Sequence, residues 1–262
     1  MRLKYTLDDY IANPSGKGSS VIQNRNSLKQ TYQTELSSLE SRMGKITYEI
    51  YKGGGNSAST YSIRFKVPSN STKGFYNDVV FEFIHNNGDS SNERTIRKYY
   101  IKFFSNDPNF IYTYAYTYKT HGVLIPELEK KLPFRSITQK PTTRNPDNAM
   151  GYNKDIFFCY LVMEREGLFY KDNLNRVAKS GGISALAAKI DNYSKKENER
   201  NKIISDLKQK EGNTDKDRPI SKIIKNKSLN LLSDNPIVKF TNTVKSSKTI
   251  GNVKRIKRSK KI

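Results

Sequence analysis

Of the 29 Phe and Tyr residues in this 262-residue chain, all but Phe240 lie at or before Tyr193. Large aromatic side chains supply much of the area that closes a hydrophobic core, so a packed domain is confined to about residues 1–194. The remaining stretch, 195–262, has little apolar material to offset the entropy of ordering it. Charge breaks at the same place. From Lys195 onward there are 20 Lys and Arg against 7 Asp and Glu, so 13 of the net +22 falls in this segment. The expected organisation is a β-rich α+β domain over 1–194, followed by a charged helix and an extended basic C-terminal arm over 195–262.

Within the domain, the most strongly patterned stretch is residues 99–118. Phe110, Tyr112, Tyr114, Tyr116 and Tyr118 share one parity, and Ile111, Thr113, Ala115 and Thr117 take the other. Alternation of this kind is a strand signature. Tyr99 to Phe104 alternates as well, and Ser105-Asn106-Asp107-Pro108-Asn109 between the two is made of turn formers. The pattern predicts an aromatic hairpin at the centre of the sheet.

Three further strands are expected upstream. Ile46, Tyr48 and Ile50 alternate over 45–52. Tyr61, Ile63, Phe65 and Val67 alternate with Ser62, Arg64 and Lys66, a half-solvated strand ended by Pro68. Val79, Phe81 and Phe83 make the third. Hairpin-length connections point to a mostly antiparallel sheet or small barrel with flanking helices. Helices are expected over 26–43, where Leu28, Tyr32, Leu36, Leu39 and Met43 form one stripe, and at 125–132, where Pro126 suits a first turn. Thr6 can cap a short helix beginning Leu7-Asp8-Asp9. Residues 156–163 are a buried element, strand or helix, which periodicity does not decide. Leu168–Ala178 reads as helical. After Gly181-Gly182, one helix runs through Ile183, Leu186, Ile190 and Tyr193 towards Leu207.

Several chemistries find no support. Gly16-Lys17-Gly18-Ser19 lacks the spacing of a phosphate-binding loop, since Ala12 stands where a Gly is needed and Gly18 where Ser or Thr is needed. His85 and His121 sit in turn contexts outside any metal-ligand spacing. Glu164, Arg165 and Glu166 read as a salt-bridged face. Cys159 is the single cysteine, which excludes an internal disulfide and reads as a buried apolar side chain. No catalytic residues, metal ligands or cofactors are assigned. No apolar run approaches the ~20 residues that cross a bilayer, and residues 1–10 lack the apolar stretch of a secretory leader. A soluble protein made in a reducing cytoplasm, without membrane partners, is the expectation.

The basic end carries the clearest binding signal. Val253–Lys261 holds six cations in nine residues: Lys254, Arg255, Lys257, Arg258, Lys260 and Lys261. Cations at this density bind phosphates by counterion release, without reading sequence. Double-stranded DNA is the expected polyanion. The long polar crossing around Lys140, Arg144 and Asn145 is the candidate partner surface. Tyr114 and Tyr116 are assigned either to packing and a subunit interface or to stacking on single-stranded bases.

Residues Lys102 to Phe110, with Thr143-Arg144-Asn145-Pro146 and Gly151-Tyr152, resemble tailed-bacteriophage virion proteins from AT-rich hosts. The resemblance covers about a quarter of the chain. It implies a structural component of the capsid, head–tail connector or neck, built in the host cytoplasm and carried in the virion, without a cofactor. Such a component would dock capsid, portal or neck subunits and act as a homo-oligomer in the assembly. The expected role is therefore a non-enzymatic assembly protein that contacts packaged DNA through its arm. Two alternatives stand beside it: a sequence-nonspecific nucleic-acid-binding module using the aromatic strand, and a nucleic-acid-processing enzyme such as a nuclease.

Overall fold

A computed structural model describes residues 5–7, 25–53, 60–85, 94–145 and 153–212. The elements below lie in one compact unit, Met1–Leu207, which the last helix outruns.

Helix α1 (Arg25–Met43) presents Tyr32, Leu36 and Leu39 to the core at helical spacing. It ends at Gly44, whose φ of 104° is a left-handed cap that suits a residue without Cβ. Strands β1 (Thr47–Lys52), β2 (Tyr61–Pro68), β3 (Tyr76–Ile84) and β4 (Tyr100–Ser105) follow as an antiparallel run. A two-residue strand, β5 (Lys179–Ser180), joins the far side of β1 in parallel. The order β4-β3-β2-β1-β5 is an open sheet, which resolves the choice between sheet and barrel. The fold is α+β.

The pleat gives this sheet two chemically different faces. Ile50, Ile63, Phe65, Val79, Phe81, Ile101 and Phe103 share one parity through the register, and all are at most 2% exposed. Phe65, Phe81 and Phe103 stack edge-on in sequence, with centroids 5.5 and 5.0 Å apart. The other face carries the cross-strand rows Glu49–Arg64–Val80–Phe104 and Tyr51–Ser62–Glu82–Lys102. It is half-solvated only at its rim: Lys66 is exposed, whereas Ser62, Arg64 and Glu82 are buried. The alternation of β2 was legible, but alternation reports polarity and not what lies over it.

The predicted hairpin at 99–118 is overturned. Only its first arm is a strand. After β4 the chain enters a π-helical turn, Phe110–Tyr114, that runs into α2 (Ala115–Thr120). Asp107-Pro108-Asn109 starts a helix: Asp107 Oδ2 accepts the Phe110 N–H at 3.0 Å, and Thr113 Oγ1 donates to Asn109 Oδ1 at 3.0 Å. Acid, then Pro, is a helix-start signature as well as a turn signature. The aromatic spacing is equally double-valued, because positions 110, 114 and 118 satisfy both period two and the i, i+4 step of a helix.

Short helices α3 (Pro126–Glu129) and α4 (Phe134–Thr138) come next. Helix α5 (Lys154–Arg165) settles the ambiguous element as helical. Residues 156–163 are all buried, so no polar stripe marks a period; the signal is at the cap, where Asn153 Oδ1 accepts the Ile156 N–H at 3.2 Å. Helix α6 (Lys171–Val177) precedes β5. The single helix expected from Ile183 to Leu207 is two, α7 (Gly182–Ala187) and α8 (Tyr193–Gly212), broken at residues 188–192. Thr6 bridges to Tyr100, Leu7 is helical and buried, and the expected first helix from Asp8 onward lies outside the described residues.

Candidate nucleic-acid interface

The π-helical turn and α2 have an inner and an outer side. Inward, Phe110 and Tyr118 are fully buried, with rings 5.1 Å apart in an edge contact. Tyr114 packs against Tyr118 at 6.2 Å, and burial pushes its phenol above the ordinary range. Outward, Tyr112 is 48% exposed and its hydroxyl donates to the Tyr193 hydroxyl at 3.4 Å. Burial, with Tyr112 and Glu197 beside it, also pushes the Tyr193 phenol up. Tyr116 is half-buried. Tyr114 and Tyr116 are therefore not on a strand, and Tyr114 is part of the packed interior.

Helix α4 lies against this helical segment. Ile137 anchors it in the core, while Phe134, three residues earlier, is 76% exposed. The chain then crosses back over 139–145 and is tied down by Asn145. Its Nδ2 donates to Thr113 O at 3.2 Å and to Thr117 Oγ1 at 3.0 Å. Asn145, read from sequence as a partner contact, is a buried loop anchor. Lys140 and Arg144 are exposed, as the partner reading required.

The surface so formed is cationic. From Lys130 to Asn145 the chain has five cations and no carboxylate. Lys130, Arg135, Lys140 and Arg144 are exposed, and among the described residues none is held in an ion pair. Two of the flanking acids are engaged, Glu129 with Lys119 at 2.8 Å and Asp191 with Lys195 at 2.6 Å, while Glu127 is exposed beside the run. Sequence reading missed Phe134, Arg135 and Lys130. The signal available was the acid-free run, together with an aromatic out of step with the buried Ile137. Lys254, Arg255, Lys257, Arg258, Lys260 and Lys261 lie outside the described residues.

Two other polar clusters underlie the sheet. Arg64 is buried against Asp78, with Nη2 2.6 Å from Oδ1, and Asn106 donates to the second Asp78 oxygen at 3.1 Å. Nearby, Asn77 Nδ2 donates to Asp155 Oδ2 at 3.0 Å, and Asn153 Nδ2 donates to Asp107 Oδ2 at 3.2 Å. Burial raises both Asp107 and Asp155 above the usual carboxylate range. Among the described residues no group of three or more His, Cys, Asp or Glu side chains is placed to hold a metal ion. His121 is exposed, and His85 stands edge-on to Tyr99 at 5.1 Å. Arg165 pairs with both Glu40 and Glu166, and Lys29 with Glu164, as the salt-bridged reading held. Cys159 is buried, and burial pushes its thiol well up.

No helix among the described residues is long and apolar enough to cross a membrane. Comparison with protein-family models, curated proteins and solved structures finds no match to this chain.

Proposed function

We propose that this chain is a non-enzymatic virion assembly protein that binds DNA phosphates through two basic regions, the α4 surface of the folded unit and the C-terminal arm. The single observation that carries the reading is the acid-free run Lys130–Asn145, with four exposed cations that make no ion pair among the described residues. Unpaired cations are free to neutralise phosphates and so release the counterions condensed on the polyanion, which makes binding favourable and salt-dependent. The arm, with six cations between Val253 and Lys261, adds a second contact of the same chemistry. Arms of this composition gain order when laid on a partner, which suits a homo-oligomer around packaged DNA. The virion setting rests on the resemblance of residues 102–110 and 143–152.

The test is fluorescence anisotropy with duplex DNA across a salt series. Full-length protein is compared with R135S/K140S/R144S and with a variant carrying Ser at the six cations of 254–261. Each lost phosphate contact removes ~0.9 from the log–log salt slope, so the triple variant should lose about two to three. Unchanged slopes in both variants would overturn the proposal.

A second reading is favoured by Phe134 alone. An aromatic 76% exposed among cations suits stacking on an unpaired base, which would make the same surface a single-strand site.

A further inference from the structure

We propose that the loop joining β2 to β3, residues 69–75, is a binding site for a phosphate group, held by Arg42 and Arg200. The two arginines come from elements far apart in sequence, the last turn of α1 and the body of α8. Arg42 Nη2 donates to Asn70 Oδ1 at 3.0 Å, and Arg200 Nη2 donates to Ser71 Oγ at 3.0 Å. Asn70 and Ser71 are consecutive, with Cα atoms about 3.8 Å apart. Two guanidinium groups therefore converge on neighbouring residues of one loop, and each is met there by a neutral oxygen. Among the described residues neither is in an ion pair.

The loop brings no negative charge to balance them. From Ile50 to Asn77 the chain has no carboxylate, and Lys73 within the loop is exposed. Acids that approach from other elements are engaged. Asp78 holds Arg64 at 2.6 Å and has Lys196 at 3.7 Å. Asp107 accepts from Phe110 N and Asn153 Nδ2, and Arg200 acts on it more weakly than burial or either of these hydrogen bonds. Glu199 is exposed, but one step along α8 turns it about 100° away from Arg200.

The loop is also rich in donors and held in shape by its own backbone. Ser69 N donates to Phe75 O at 2.8 Å, and Phe75 N to Thr72 O at 3.2 Å. The Ser69 and Ser71 hydroxyls lie 3.3 Å apart. Thr72 Oγ1 and Arg200 Nε are buried without an acceptor.

Donor number selects the ligand. A carboxylate offers two oxygens in one plane and is matched by a single guanidinium. Two guanidiniums with a lysine and the Ser71 hydroxyl exceed that. A phosphate presents its oxygens tetrahedrally and takes charge-assisted bonds from both arginines, in place of the neutral Asn70 and Ser71 acceptors. This loop shares no residue with the α4 surface, so the site stands whether or not that surface binds DNA.

The experiment is an amide NMR titration of the full chain with sodium phosphate, with sodium chloride and sodium acetate at matched ionic strength as controls. The expected result is a saturable shift of amides 69–75 with phosphate only. R42S and R200S should each weaken phosphate binding at least fivefold. Ser71→Asp fixes a negative charge beside Arg200, so it should abolish the phosphate response and raise the melting temperature in phosphate-free buffer. Oligothymidine that moves the same amides at lower concentration names a nucleic-acid backbone as the source, and no such movement names free phosphate. Equal shifts with chloride or acetate, unchanged affinity in both arginine variants, or a lower melting temperature in Ser71→Asp would each overturn the proposal.

Discussion

Asp155 and Asp107 approach each other across one amide: Asn77 Nδ2 is 3.0 Å from Asp155 Oδ2 and 3.5 Å from Asp107 Oδ1. The first carboxyl comes from the opening turn of α5 and the second from the cap of the π-helical turn. Burial raises both, and for Asp155 the Asp107 charge raises it further. Two partly buried carboxyls this close are relieved by sharing a proton. The junction of sheet, π-helical turn and α5 is therefore closed by an acid pair whose affinity for a proton is raised.

That pair makes stability fall with rising pH. Each carboxyl holds its proton to higher pH in the fold than in the unfolded chain, so the fold binds more protons and loses stability once the unfolded groups ionise. The loss begins near the ordinary Asp range and ends above the raised folded value. In Asp155→Asn the substituted amide keeps a donor and an acceptor and removes the titration. Melting temperatures from pH 5 to 9 should fall for the native chain and fall less for the variant, which matches or exceeds it at pH 9. Parallel curves would exclude the pair as the source.

Glu82 makes the same argument over a narrower window. Burial pushes its carboxyl up to about 7, with Lys102 opposing the rise and Glu127 adding to it. Stability is full below the ordinary value of 4.5 and is lost as pH rises to about 7, beyond which it is flat. At about 1.4 kcal/mol per pKa unit the loss is on the order of 3–4 kcal/mol. Glu82→Gln should flatten urea-unfolding stability between pH 4.5 and 7, leaving slopes outside that window unchanged.

The helical course of 110–118 is testable by asymmetry. On a strand, Phe110 and Tyr112 would share a face and cost about the same to truncate. Here Phe110 is fully buried and Tyr112 is 48% exposed. Phe110→Ala should cost about 3–5 kcal/mol, and Tyr112→Ala about 1 kcal/mol or less, from its contact with Tyr193. Equal losses in denaturant titrations would restore the strand.

How far the sequence was legible follows from these residues. Strands β1, β2 and β3 were readable because Ile50, Phe65 and Phe81 alternate with polar neighbours and no helical period fits them. Residues 110–118 were not, since a run of same-parity aromatics contains the i, i+4 series 110, 114, 118. Helix α5 was silent because it is buried on every side, so its strongest cue lay at Asn153, outside the apolar run. The acid pair was invisible for another reason: Asp107 and Asp155 are 48 positions apart, and only the sheet's register with Asn77 brings them together. Of the surface at α4, Lys140 and Arg144 were found by loop length, and Phe134 was hidden because exposure is not a property of one residue's type.

Phe134 decides between the two readings of that surface. It is 76% exposed, so removing its ring takes little from the core, and Phe134→Ala should change stability by less than about 0.5 kcal/mol. A phosphate anchor has no use for the ring, since duplex bases are stacked on one another and closed to it. Duplex affinity should then be unchanged, as should the salt slope set by Lys130, Arg135, Lys140 and Arg144. Stacking on an unpaired base is worth ~1–3 kcal/mol, so a single-strand site would lose about fivefold or more on an oligothymidine probe. Anisotropy titrations of the native chain and Phe134→Ala on both probes separate the cases. Equal duplex binding with a single-strand loss assigns the surface to exposed bases, and no loss on either probe keeps it as a phosphate contact.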